Sequence, residues 1–152
     1  MEFIAGKRER GCIFCTRLRR RRDRSDLILA RGRKAFVILN RYPYNNGHLM
    51  VVPNRHTSKL ERLNGEERLE MMELVAKSLR VLGKAMRPQG FNVGLNIGRA
   101  AGAGILGHVH FHVLPRWNGD TNFVPVFSGS RVLPEYLHKT YQRLAKIWRN
   151  LS

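Results

Sequence analysis

His108, His110 and His112 alternate with Val109 and Phe111, and the run continues apolar as Val113-Leu114-Pro115. Alternation with a period of two is the pattern of a half-buried strand. Side chains at i, i+2 and i+4 share one face, so the three imidazoles project together while Val109, Phe111 and Val113 point into the core. Imidazole is a poor core filler but serves near neutral pH as a nucleophile, an acid/base or a metal ligand. The plain alternative is a solvent-facing strand that happens to carry histidine. Just upstream, Gly98-Arg99-Ala100-Ala101-Gly102-Ala103-Gly104 forms a small-residue loop. Glycine allows positive φ and close backbone approach, so successive N–H groups can converge on an anion. Alone, such a loop is an ordinary surface turn. Beside a histidine row it suggests a phosphate held next to a nucleophilic imidazole.

A second constellation lies near the amino terminus. Cys12 and Cys15 have C-x-x-C spacing and are the two cysteines of the chain. The segment before them lacks a signal-peptide core, which makes the cytoplasm the expected compartment. There the spacing points to a metal site or a redox pair rather than a structural disulfide. Two thiolates supply half of a tetrahedral zinc site, so two more ligands would be needed. Free buried thiols are the competing reading.

Charge sets a third boundary. The formal net charge is +17, and much of it sits early, in Lys7-Arg8, Arg17, Arg19 to Arg22 and Arg24. Such a run can contact nucleic acid. No aromatic residue is interleaved within residues 17–24, as a stacking platform for single strands would want, so nucleic acid is not favoured. A solvated loop that steers polyanionic substrates fits better. No apolar run is long enough to span a bilayer, and 152 residues suit a single domain with a real core.

The elements that must position these groups follow from periodicity and turn chemistry. Strands are expected at Leu27–Arg31, Ala35–Asn40, His48–Pro53, Phe91–Ile97 and Gly107–Pro115. Gly32 and the Pro/Asn/Gly-rich stretch Asn40–Gly47 supply turns. Asn64 followed by Glu67 has capping-box spacing and opens a long helix. Leu69, Met72, Val75, Leu79, Leu82 and Met86 recur at intervals of three and four, marking a face for core or subunit interface. Pro88 and Gly90 end that helix. Pro134–Leu151 reads as a carboxy-terminal helix. Helices and antiparallel strands in this order predict an α+β fold.

With these residues in place, the chain resembles the histidine triad (HIT) superfamily of nucleotide-binding proteins. Gly107-His108-Val109-His110-Phe111-His112-Val113-Leu114-Pro115-Arg116 matches its signature, and residues 12–15, 39–48 and 51–56 match the cysteine pair, the central strand and turn, and the next strand. Pro115 to Phe123 is similar to the branch of diadenosine-tetraphosphate phosphorylases, also called ATP adenylyltransferases. The resemblance implies one HIT domain over residues 1–152, with a basic segment through residue 25. It implies a meandering antiparallel sheet of about five strands, a long central helix and a carboxy-terminal helix, usually paired as a homodimer or larger oligomer.

The resemblance also distributes roles. His110 would attack the α-phosphorus of a nucleotide and carry a covalent nucleotidyl group. A hydrogen bond would have to hold its Nδ1 so that Nε2 is free. His112 would bond a phosphate oxygen or the leaving group, and His48 would support the nucleophile from behind, with a satisfied core histidine as the competing reading. Asn40 matches the ribose-binding position, Asn96 lies near the α-phosphate, and the N–H groups of Gly102, Ala103 and Gly104 would hold phosphate charge. Cys12, Cys15, His56 and His108 match a structural zinc site with no open position, and no redox cofactor is expected. One departure stands out: position 104 is glycine where relatives commonly carry Ser, Thr or Gln, so only backbone remains to bind there. The implied activity is phosphorolysis of diadenosine tetraphosphate. Hydrolysis of dinucleoside polyphosphates or nucleoside phosphoramidates is the alternative, and a non-catalytic nucleotide- or nucleic-acid-binding module lies outside that class. A DNA-repair deadenylase of the superfamily would append a zinc finger, for which no further cysteines are present.

Overall fold

The computed structural model describes residues 11–120 and 134–151. Lys7 and Arg8 of the basic segment and Thr121-Asn122-Phe123 of the branch-specific stretch lie outside them. Five antiparallel strands, β1 (Ile28–Arg31), β2 (Ala35–Leu39), β3 (Leu49–Pro53), β4 (Gly90–Leu95) and β5 (Phe111–Arg116), form one sheet in the order β1-β2-β3-β5-β4. Helices α1 (Ile13–Arg20) and α2 (Asp23–Asp26) precede the sheet. The long α3 (Gly65–Met86) joins β3 to β4, and α4 (Pro134–Asn150) follows β5. This is the α+β meander expected from the sequence.

β2 and β3 are buried along their whole length because both faces of the sheet are covered. On one face Ala35, Val37, Leu39, Leu49, Val51 and Val113 pack under Met71, Val75, Val81 and Leu82 of α3 and Leu137, Leu144 and Trp148 of α4. On the other, Phe36, Ile38, Met50 and Val52 pack against Phe14 of α1. Strand alternation thus sorts one apolar run into two cores. Helix α3 opens with the predicted capping box: Asn64 accepts from the Glu67 N–H, and the Glu67 carboxylate accepts from the Asn64 N–H. It ends at Arg87, in the left-handed region, one residue before Pro88. Gly47 (φ +84°) brings the Asn40–His48 turn against the end of α3, where a Cβ would lie 2.6 Å from the Met86 sulfur.

Three expectations need correction. The apolar stripe of α3 holds only in part: Val75 and Leu82 are buried and Leu79 and Met86 pack on the core, but Leu69 and Met72 are 62% and 52% exposed, while Met71, Ser78 and Val81 are buried outside the expected stripe. The arginine run is no loop. Arg17, Arg19 and Arg20 lie on α1, Arg24 lies on α2, and Arg17 is buried. The last strand begins at Phe111 rather than Gly107. Its partner β3 ends at Pro53, which has no N–H to extend the ladder, and Val109 N–H donates instead to the Thr57 carbonyl.

Candidate active site and metal cluster

The register of β5 places the histidines. Ile38, Met50, His112 and Gly94 line up across β2, β3, β5 and β4, on the face opposite α3. His110 and His108 continue that row beyond the strand. Asn96 follows Leu95, the partner of Phe111, so it comes level with His110. His48 immediately precedes β3 and shares the same face. The row is not solvent-facing: His48, His108, His110 and His112 are 0%, 1%, 4% and 6% exposed. Phe14 stands edge-on to His108 and His110, with ring centroids 5.4 and 5.0 Å away. An apolar helix residue therefore covers one side of the imidazoles.

Hydrogen bonds orient each ring. His110 Nδ1 lies 2.8 Å from the His108 carbonyl oxygen. A carbonyl only accepts, so Nδ1 carries the proton and Nε2 carries the lone pair. This is the hydrogen bond that the nucleophile reading requires. His48 sits behind His112 rather than behind His110, with its Nε2 2.8 Å from His112 Nδ1. His48 Nδ1 receives the Tyr44 backbone N–H and the Asn40 side-chain amide, each at 3.2 Å, and the Tyr44 ring stacks on His48 with centroids 4.9 Å apart. Asn40 Oδ1 accepts from the Tyr42 N–H. Both ends of the Asn40 amide are therefore engaged within the protein.

The glycine loop contains one 3-10 turn, Arg99–Ala101, between Gly98 (φ +86°) and Gly102 (φ +81°). The N–H groups of Gly102 and Ala103 bond to the Arg99 and Gly98 carbonyls. That leaves Gly104 as the amide of the three without a backbone partner among the described residues. Gly104, Ile105 and Gly107 border a cavity of about 360 Å³ that also touches Gly11, Cys12, Ile13 and His56. The end of the loop thus lies beside Cys12 and His56.

Cys12, Cys15, His56 and His108 come together, with all four ligand atoms within 4.8 Å of one another. Cys12 Sγ to His108 Nδ1 is 3.3 Å, Cys15 Sγ to His56 Nδ1 is 3.5 Å, Cys15 Sγ to His108 Nδ1 is 3.7 Å, and His56 Nδ1 to His108 Nδ1 is 3.3 Å. Zinc bonds of about 2.0 Å to nitrogen and 2.3 Å to sulfur give tetrahedral edges of about 3.3–3.8 Å, which these four separations match, and two thiols with two imidazoles are a zinc donor set. His108 Nε2 donates to the Pro53 carbonyl at 2.8 Å, which leaves Nδ1 unprotonated for a metal. Arg55, next to His56, forms a two-pronged pair with Glu67 and holds that carboxyl at about 2, tying the His56 segment to the start of α3.

Sequence reasoning missed several contributors. Phe14 was visible only as part of C-x-x-C. The Pro53 and His108 carbonyls act through backbone, and the Tyr44 N–H does too, so none leaves a residue-type signal. Arg55 lay within the matched segment 51–56 with no role assigned to it.

Burial pushes His48 well below its ordinary value and His112 down to about 4, with the neighbouring histidines adding to both. These groups are neutral in the fold and cationic in the unfolded chain below about pH 6.5. The contribution of His112 is complete above that pH and is lost as pH falls through about 4. His112 alone is worth on the order of 3 kcal/mol at the acid limit. Urea midpoints are expected to fall steadily from pH 7 to 4.5, and less steeply in His112→Gln. A flat profile over that range would show that the imidazoles are not buried neutral.

Comparisons with known proteins add to this geometry. The HIT domain family matches residues 21–119. An AP-4-A phosphorylase from Mycobacterium tuberculosis is 48% identical over 126 residues, covering 83% of this chain. The chain spans 65% of that relative's length. A hypothetical histidine triad nucleotide-binding protein from Sulfolobus tokodaii superposes with a TM-score of 0.76 at 25% identity, covering 92% of this chain and 93% of its own. A Zn-bound histidine triad family protein from Mycobacterium smegmatis superposes with a TM-score of 0.74 at 25% identity, covering 93% and 95%.

Proposed function

The chain belongs to the HIT domain family, and from that membership we propose that it is a nucleotidyl-transferring enzyme that cleaves dinucleoside polyphosphates at the α-phosphate. The observation that carries this reading is the 2.8 Å bond from His110 Nδ1 to the His108 carbonyl, which leaves Nε2 as a neutral lone pair in a buried site. A neutral nucleophile avoids repulsion by anionic phosphate oxygens. His110 Nε2 forms a bond to the α-phosphorus, and the bond from phosphorus to the bridging oxygen breaks with its electron pair going to the leaving polyphosphate. The second step transfers the nucleotidyl group to the acceptor, so one hard displacement becomes two. His112 bonds the leaving oxygen, Asn96 and the Gly104 N–H hold the phosphate, and Asn40 is the position matched to ribose. The 48% identity to an AP-4-A phosphorylase supports phosphate as the acceptor and diadenosine tetraphosphate as the substrate.

Zinc would be held by Cys12, Cys15, His56 and His108, closed to substrate, and would supply structural cross-linking of the amino terminus to the catalytic segment. No described helix is long and apolar enough to cross a membrane. Exposed Leu69 and Met72 of α3 and Val93 of the edge strand β4 offer an apolar surface that a second copy would cover, in keeping with a homodimer.

Incubation with diadenosine tetraphosphate, with and without phosphate, tests the reaction. ATP plus ADP formed only with phosphate is the expected result. ATP plus AMP without phosphate would make the enzyme a hydrolase, and no turnover of any nucleotide ester or phosphoramidate would overturn the enzymatic reading.

The exposed arginines at the end of α1 are assigned to encounter. Replacing Arg19, Arg20, Arg21 and Arg22 with Ser is expected to lower kcat/KM at low ionic strength and leave kcat nearly unchanged. Screening over about 8–10 Å at physiological salt should make the values converge as salt rises. A loss of kcat that persists in high salt would place the segment within the site.

A further inference from the structure

We propose that Asn40 and the Tyr44 backbone amide are positioning groups that fix the tautomers of His48 and His112, so that His112 meets the substrate as an Nε2–H hydrogen-bond donor. This role rests on the functional reading above, but the tautomers themselves do not. A backbone N–H can only donate, and Tyr44 N–H lies 3.2 Å from His48 Nδ1. The Asn40 amide is turned the same way, because its Oδ1 accepts from Tyr42 N–H at 3.0 Å and its Nδ2 reaches His48 Nδ1 at 3.2 Å. Two donors on Nδ1 leave it no proton. Neutral His48 therefore carries its proton on Nε2 and donates to His112 Nδ1 at 2.8 Å. His112 in turn keeps its proton on Nε2, which has no partner among the described residues. The Tyr44 ring, stacked on His48, holds the imidazole in the plane the chain requires.

The adjacent rings thus arrive complementary. His110 presents a lone pair at Nε2 and His112 presents a proton at Nε2, with ring centroids 4.7 Å apart. The chain ends at a backbone amide that cannot relay a proton, so His112 keeps its proton throughout. When phosphorus bonds His110 and releases the bridging oxygen, the electron pair stays on that oxygen and the His112 N–H stabilises it by a hydrogen bond. Asn40 acts on the reaction two rings away, distinct from the ribose contact expected at this position.

Long-range proton–nitrogen NMR of protein labelled with ¹⁵N in its imidazoles reads these tautomers directly at pH 7.5, with His48→Gln and His112→Gln used for assignment. The expected result is an Nε2–H tautomer for both His48 and His112 in the resting protein. An Nδ1–H tautomer at His112 would overturn the proposal, whatever the substrate proves to be. Asn40→Asp replaces one of the two donors on His48 Nδ1 with an acceptor, leaves the Tyr44 N–H in place, and is expected to shift both rings measurably toward Nδ1–H. With diadenosine tetraphosphate, kcat should then fall by about 10²-fold while KM changes little. Unchanged tautomers with a raised KM alone would assign Asn40 to ribose binding instead. The stated tautomers in a protein that turns over no nucleotide would sink the functional reading and leave the tautomer assignment standing.

Discussion

His110→Asn is expected to reduce turnover of diadenosine tetraphosphate by several orders of magnitude, since loss of a covalent nucleophile removes the path itself. Asn is close to imidazole in size near the backbone, and its side-chain N–H can still reach the His108 carbonyl. The fold and much of the nucleotide affinity should therefore survive. Steady-state kinetics with an equilibrium binding measurement of AMP separates the two effects. A variant with near-normal kcat would show that the buried, correctly oriented Nε2 is not the attacking atom. A variant that neither folds nor binds would be replaced by His110→Gln, with the same expectation for kcat.

The second large effect is expected on metal. Elemental analysis should find one zinc per chain, and Cys12→Ser or Cys15→Ser should abolish it. Because metal binding is coupled to folding, the loss should be several kcal/mol, on the order of a 10 °C fall in Tm. The change in KM should be small, since no ligand of the cluster is left open to substrate. His108 makes the coupling local: its ring Nδ1 faces the two sulfurs while its own carbonyl orients His110. A modest drop in kcat should accompany the drop in stability. Absence of zinc, with both thiols titrating freely in the folded protein, would refute the site.

Much of the site was legible because its signals are residue types in fixed spacing. The histidine alternation gave their shared face, C-x-x-C gave two ligands, and the resemblance to the histidine triad family supplied His56 and His108, which the fold brings within 4.8 Å of the two sulfurs. What stayed hidden acts through backbone or through tertiary position. Pro53 stops a ladder and lends its carbonyl to His108. Tyr44 offers an N–H that any residue but proline would have. Spacing alone did not separate the core part of the α3 stripe from its exposed part, because Leu69 and Met72 satisfy helical spacing as well as Val75 and Leu82 do, and only the placement of the sheet decides which are covered. The burial of the histidine row was missed for a related reason. Alternation reports which residues share a face, but not whether a helix such as α1 covers it.

Rapid quenching of the reaction with diadenosine tetraphosphate in the absence of phosphate, followed by peptide mass spectrometry under alkaline conditions, tests the central claim most directly. The account predicts a single adenylyl group, acid-labile and base-stable, on the peptide spanning His108 to His112, with fragmentation placing it on His110. An adduct on His112 or His48, or turnover with no covalent species at any quench time, would contradict it.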